Sequence, residues 1–311
     1  MIQRVCVVGA GTIGGLLAAH LARVVDVWVL TRRPEHAAAL AERGLRVTGR
    51  ADLTTELSAA ADPAELPDFE LGIVACKGTD LDETAARLAG SFPAATLMTI
   101  QNGMGAEEIV RRHGSWPLIS AITFMSGTRR SDNEVEYVLD TATWLGPYGT
   151  TSYELVEEVA RLIVAGGLKA EPFRDLRPAQ WSKLVFNATV NSVAALTGLP
   201  HDFHFAQTVE LSDLGHLVRD LVDEGKAVAA AAGVELRDDP WEMNVHATRR
   251  GSAHYPSMLE DVDARRQTEV ELITGTLVRE ADRLGVPVPL HWALYRLIKA
   301  KEDSYLEEAA T

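Results

Sequence analysis

The chain predicts an α/β protein in which an N-terminal doubly wound parallel sheet is followed by a C-terminal all-helical domain. Three observations lead there. A glycine-rich turn joins a strand-like run to a helical run at the very N-terminus; strand and helix patterns alternate through the first half; and after Arg174 almost every segment reads as helix.

Val5 to Val8 is the first apolar run and Val25 to Leu30 the second, and they enclose a helical pattern from Thr12 to Arg23. Leu71 to Cys76, Thr96 to Ile100 and Leu118 to Phe124 continue the alternation, which implies parallel strands with crossover helices. From Val135 to Gly149 the pattern becomes VEYVLDTATWLGPYG, with partial alternation and turn residues at its end, so antiparallel edge strands are expected to close the sheet. Thr31 to Leu40 and Arg129 to Glu136 read as polar, mobile loops. Leu217 to Gly233 and a long run from Val262 to Leu284 are the clearest helices of the second half. At 311 residues the chain exceeds the usual size of a single core. The expected division is residues 1–173 for the sheet domain and 174–311 for the helical one, with a ligand cleft between them.

Composition narrows the function. Hydrophobic residues make up 47% and charged residues 24%, the balance of an ordinary globular protein. A formal charge of −14 disfavours nucleic acid and anionic lipid, so an anionic ligand has to be met by local cationic or N–H groups. The two cysteines, Cys6 and Cys76, sit in strand-like runs and support neither a disulfide framework nor a thiolate metal site. No histidine spacing suggests metal ligands, and His20 reads as structural or solvated. With no leader pattern at MIQRVCVVGAG and no membrane-length apolar run, a cytoplasmic protein is expected.

Gly9-Ala10-Gly11-Thr12-Ile13-Gly14 has the form G-x-G-x-x-G. The motif alone is weak, but here it follows a strand and opens a helix, where glycines permit the tight turn and the close approach of a pyrophosphate to helical N–H groups. A Rossmann-type dinucleotide site is therefore expected, against the alternative of an incidental glycine-rich turn. The second strand ends in Val29-Leu-Thr-Arg32-Arg33, with no acidic residue for a ribose 2′-hydroxyl. Arg32 and Arg33 suit a 2′-phosphate, so NADPH is preferred over NADH; the bland alternative is two solvated loop cations. Lys77 and Gln101-Asn102-Gly103 follow strands at the ends where such sheets bind ligands, although Asn102-Gly103 also suits a plain turn.

Trp181-Ser-Lys-Leu-Val-Phe-Asn-Ala-Thr-Val-Asn191 sets Lys183, Asn187 and Asn191 four residues apart in an apolar helix. Each step advances only about 40° around the helix, so the amine and both carboxamides share a face. In a core, each unpaired group costs roughly 1 to 3 kcal/mol; in a cleft the same face is a binding surface. Ser257 with Glu260 has the spacing of a capping box, compatible with both helix capping and carboxylate binding. Glu269 lies far along the same predicted helix, about 18 Å from Ser257 if the helix is straight, so the two are expected to serve different ligands or different ends of a cofactor–substrate pair.

In order, GAGTIG at 9–14, Arg32, Lys77, QNGMG at 101–105, WSKLVFNATVN at 181–191, PSMLEDV at 256–262 and RRQTEVELITG at 265–275 resemble the ketopantoate reductase (2-dehydropantoate 2-reductase) family over nearly the whole length. That resemblance implies NADPH-dependent reduction of a 2-oxo acid to a 2-hydroxy acid, foremost 2-dehydropantoate to pantoate in pantothenate biosynthesis. It implies Lys183 as proton donor, Asn187 and Asn191 as substrate amides, Ser257 at the substrate carboxylate, and Asn102 at the nicotinamide or substrate. Lys77 and Glu269 fall on the cofactor side, with no metal. A small anionic 2-oxo acid is the expected partner, a homodimer is one assembly open to the chain although sequence does not give the oligomeric state, and neither nucleic acid nor membrane is expected. His201 and His254 stand where the family pattern has asparagines, and Glu260 where glutamine is frequent; these departures bear on which substrate is taken. The alternatives are a related enzyme reducing another carbonyl or an imine, as opine-type enzymes do, and a non-catalytic NADPH sensor, which would not need the proton donor.

Overall fold

A computed structural model describes residues 2–207, 212–249 and 255–310. The chain divides into two compact units, one of residues 1–101 and 106–176, the other of residues 102–105 and 177–311. The division thus falls a few residues after the expected position, and the short segment Asn102–Gly105 belongs with the second unit.

The first unit runs β1 (Arg4–Val8), α1 (Thr12–Leu21), β2 (Asp26–Leu30), α2 (Pro34–Arg43), β3 (Leu45–Gly49), β4 (Leu53–Thr55), β5 (Ser58–Ala60), β6 (Leu71–Val74), α3 (Leu81–Leu88), β7 (Thr96–Thr99), α4 (Ala106–Arg111), β8 (Leu118–Thr123), β9 (Ser126–Ser131), β10 (Glu134–Leu139), β11 (Thr143–Tyr148), α5 (Tyr153–Ala165) and β12 (Ala170–Pro172). Its main sheet has the order β12-β11-β8-β7-β6-β1-β2-β5. All neighbours from β5 to β8 are parallel. The chain builds outward from β1 through β2, then returns to the other side of β1 as β6, which makes the carboxyl ends of β1 and β6 the topological switch point.

Both faces of this sheet are covered. Val5 and Val7 pack with Leu16, Leu17 and Leu21 of α1 and with Val156, Val159 and Ile163 of α5. Their sequence neighbours Cys6 and Val8 point the other way, onto Leu81 and Leu88 of α3 and Val110 of α4. The near-continuous apolar strands follow from burial on two sides.

Three expectations need correction. Residues 34–43 form α2, not a loop, and residues 129–136 form most of a β9–β10 hairpin. That hairpin belongs to a separate sheet of order β4-β3-β10-β9, which covers α1 with Val47, Val135 and Tyr137. The segment 135–149 therefore splits: β10 joins the small sheet, while β11 pairs antiparallel with β8 and is itself flanked by β12.

The second unit is helical: α6 (Arg177–Thr197), α7 (Asp213–Ala231), α8 (Pro240–Thr248), α9 (Ser257–Asp263), α10 (Thr274–Leu284) and α11 (Pro289–Ala310). Helix α6 is central, and α7 to α11 all pack against it. The expected helix 262–284 is broken: α9 ends at Asp263, Arg265 takes a positive φ of 53°, and α10 begins only at Thr274. Among the described residues no helix is long and apolar enough to cross a membrane.

Candidate active site

The first unit presents its glycine loop at the switch point. Gly9 has φ +97°, donates its N–H to Leu30 O at 2.8 Å, and a Cβ there would stand 2.8 Å from Cys76 N. At Gly14 a Cβ would fall 2.0 Å from Gly9 O, so the third glycine lets α1 pack against the turn that precedes it. Gly11 differs. It is the N-cap of α1, no side chain caps this helix end, and a Cβ added to Gly11 meets nothing within 4 Å. Open space therefore lies beside Gly11 at the uncapped start of α1, where first-turn N–H groups are the kind of donor that a pyrophosphate needs.

Arg32 follows β2, its side chain 70% exposed, with one guanidinium nitrogen 3.4 Å from Asp80 Oδ1. Arg33 is more committed: it is 2.5 Å from Asp132 Oδ1 in the β9–β10 turn and precedes α2 as its N-cap residue. Of the two cations read from sequence, Arg32 is the one presented outward. Lys77, exposed, lies just past β6 at the switch point. Gln101, whose sequence context marks it only as part of a turn, is buried and donates from Nε2 to Val74 O at 2.8 Å and Cys76 O at 3.0 Å, tying the end of β7 to that of β6. Loop polarity alone gives no sign of that brace. The residues present thus fit an adenine dinucleotide.

The second unit gathers the polar residues. Lys183, Asn187 and Asn191 lie on one stripe of α6 and are only 6, 7 and 7% exposed. Burial is deeper than a cleft-facing stripe implies. The Lys183 ammonium donates to Asn102 Oδ1 at 3.0 Å, and Asn102 Nδ2 donates to Glu269 Oε2 at 3.5 Å. Burial lowers the Lys183 pKa to about 8, with the Glu269 carboxylate pushing in the opposite direction. Among the described residues neither Asn187 nor Asn191 has a side-chain hydrogen-bond partner.

Backbone geometry places Asn102. Gly103 has φ +93° and lies so close to Leu272 that a Cβ would fall 2.0 Å from Leu272 O; Met104 N donates to the same oxygen at 2.9 Å. The Asn-Gly turn is thus stitched to the irregular segment between α9 and α10, which carries Glu269. The break in the helix removes the straight path on which a wide separation of Ser257 and Glu269 depends. Glu269 accepts from the Asn102 amide that holds the amine of Lys183, and its carboxylate opposes the effect of burial on that amine. Ser257 is exposed in the first turn of α9 and is not its cap; Pro256 holds that position, so the capping box does not form.

The histidines separate. His20 is buried, its Nδ1 3.2 Å from Gly166 O, and burial lowers its pKa. His201 is also buried, with Nε2 2.7 Å from Asn244 Oδ1 and its ring edge-on to Phe186 and Phe205. His254 lies outside the described residues.

With this geometry in view, the comparison with known families is decisive. Residues 5–150 match the model described as "Ketopantoate reductase PanE/ApbA", and residues 175–302 match "Ketopantoate reductase PanE/ApbA C terminal". The chain belongs to the ketopantoate reductase family. It is 27% identical over 305 residues to a 2-dehydropantoate 2-reductase of Pyrococcus horikoshii, covering 97% of this chain and 98% of the relative. Among solved structures, a PanE/ApbA family ketopantoate reductase from Ralstonia eutropha superposes with a TM-score of 0.87 at 25% identity, covering 98% of this chain and all of that one. A D-mandelate dehydrogenase in ternary complex with NADH and anilino(oxo)acetate has a TM-score of 0.88 at 21% identity, covering 97% and 99%, a likeness of fold. The chain is thus an oxidoreductase of the ketopantoate reductase type.

Proposed function

We propose that this chain reduces a 2-oxo acid to the 2-hydroxy acid with NADPH, and that its substrate is 2-dehydropantoate, converted to pantoate in cytoplasmic pantothenate biosynthesis. One observation carries the reading: a buried amine held by Asn102 shares a helix face with two carboxamides that have no protein partner among the described residues.

The bound dihydronicotinamide would supply the hydride to the ketone carbon. Negative charge then grows on the ketone oxygen, and Lys183 both stabilises it and delivers the proton. A pKa near 8 suits that task, because the proton is held at neutral pH yet is released more readily than from a solvated lysine. Asn102 fixes the amine in place, and Glu269 keeps it charged against the cost of burial. Asn187 and Asn191 orient the oxo acid and its distal hydroxyl, and Ser257 meets the carboxylate. Gly9 to Gly14 cradle the pyrophosphate, Lys77 and Asn102 approach the cofactor, and Arg32 reads the 2′-phosphate.

Steady-state oxidation of NADPH against a panel of 2-oxo acids tests this. Turnover with 2-dehydropantoate well above that with pyruvate or 2-oxoisovalerate is expected. NADPH binding without turnover on any 2-oxo acid would leave the sensor reading instead. A second reading, a relative acting on another carbonyl or an imine, has support from His201, whose burial against Asn244 puts an imidazole network where the family pattern has an asparagine.

A further inference from the structure

We infer that Asp80 is a specificity-determining residue for the cofactor, weakening the hold of Arg32 on a 2′-phosphate and so tempering the preference for NADPH over NADH. The inference rests on the reading of Arg32 given above and deepens it.

Asp80 ends a short 3-10 turn, Gly78–Asp80, and leads into α3 with helical backbone angles, φ −98° and ψ −1°, not the extended conformation in which an aspartate accepts a hydrogen bond from the first turn of its helix. It makes no such bond. Its Oδ1 instead stands 3.4 Å from the Arg32 guanidinium, across 48 residues of sequence. A carboxylate that its own helix does not use and that faces the cation at the end of β2 is placed for the ligand that this cation would bind. Helix α3 keeps Asp82 and Glu83 in its first turn, so favourable charge at that end does not depend on Asp80.

The sign follows from electrostatics. A 2′-phosphate approaching Arg32 meets the Asp80 carboxylate at the same guanidinium, so two anions compete for one fork of donors. A ribose 2′-hydroxyl carries no charge and can donate to a carboxylate oxygen, the arrangement by which acidic residues select NADH. Asp80 therefore penalises the phosphorylated cofactor and tolerates the other. Both side chains are solvated, at 70% and 41% exposure, which keeps the effect modest. The partner of Arg33, Asp132, lies in another turn and has a second cation, Arg129, at 3.9 Å, so it does not duplicate this arrangement.

The test is calorimetric and needs no turnover: the full-length chain is titrated with 2′-phospho-ADP-ribose and with ADP-ribose. Asp80→Asn should tighten the phosphorylated ligand by about two- to tenfold and should not tighten ADP-ribose. The gain should shrink with added salt and vanish in an Arg32→Ala background. Asp80→Ser, which also removes the charge but keeps a small polar side chain, should behave in the same way, and thermal melting of each variant checks that the fold is kept. If Arg32→Ala weakens the phosphorylated ligand while both Asp80 variants leave it unchanged or weaker, the inference is overturned and the NADPH reading stands. If Arg32→Ala leaves both ligands unaffected, that reading falls and takes the inference with it.

Discussion

Lys183 Nζ lies 3.0 Å from Asn102 Oδ1, and the amide nitrogen of Asn102 lies 3.5 Å from Glu269 Oε2, so a buried ammonium reaches a carboxylate through one intervening carboxamide. Burial favours the neutral amine and Glu269 favours the charged one; the balance leaves the pKa at about 8. The charged donor is therefore present below that value and lost as pH rises through it. With Lys183 as the proposed proton donor, reductive kcat should be flat toward neutral pH and fall about tenfold per unit above roughly 8, while oxidation of the hydroxy acid, which would then need the neutral amine as base, should rise over the same range. Lys183→Ala should abolish both limbs and lower kcat by about 10² to 10⁴, with NADPH affinity measured by fluorescence nearly unchanged. Near-normal turnover in that variant would remove Lys183 from the chemistry.

Asn187 and Asn191 are each 7% exposed and without a protein partner among the described residues. Removing such a carboxamide leaves no buried group newly unsatisfied, so Asn187→Ala should keep the melting temperature within a few degrees while raising KM for the oxo acid by roughly tenfold or more. A large loss of melting temperature with unchanged kinetics would make the stripe part of the core.

The glycines of the first loop should divide by what they tolerate. Gly11 has φ −72° and open space where a methyl group would stand, so Gly11→Ala should fold with unchanged thermal stability yet bind NADPH more weakly, because the methyl would lie over the helix end proposed to take the pyrophosphate. Gly14→Ala would drive a Cβ to within 2.0 Å of Gly9 O and should destabilise by about 1 to 3 kcal/mol or more in chemical denaturation. Equal effects of the two substitutions on folding would contradict this division.

Arg32, presented outward while Arg33 is held by Asp132, should carry the discrimination between cofactors. Arg32→Ala should erode the NADPH preference by about 1.5 to 3 kcal/mol, a charge-assisted hydrogen bond's worth, and Arg33→Ala by less. Dissociation constants for NADPH and NADH on each variant decide it, and equal constants in the unmutated chain would defeat the premise.

The parallel strands, the glycine loop and the amine–carboxamide stripe are legible because each rests on local pattern: apolar runs, glycine spacing, a step of four. What escapes is set by distant partners. The exposed strand β9 shows no alternation, since four of its six residues face solvent, and only its register with β10 makes it a strand. Helix α2 buries His36, Ala37, Ala39 and Leu40, a stripe too thin in hydrophobicity to stand out from a polar loop. The break after α9 has no proline or glycine to announce it; Thr268 is drawn out of helix by Glu302, whose buried carboxylate accepts from both its N–H, at 2.7 Å, and its hydroxyl, at 2.6 Å. That break carries Glu269, so its link to Asn102 and Lys183 lies beyond sequence pattern.

The passage of Asn102–Gly105 into the second unit limits how this protein can be taken apart. The amine and the amide that grips it are 81 residues apart, with α4, α5 and the strands from β8 to β12 between them. A chimera joined to a relative at the junction after Leu176 would inherit Lys183 from one parent and its companion loop from the other, and a fragment beginning at Arg177 would lack that loop altogether. Exchange of substrate preference between relatives by recombination therefore calls for a second transplant beside the helical unit, the four-residue segment Asn102–Gly105.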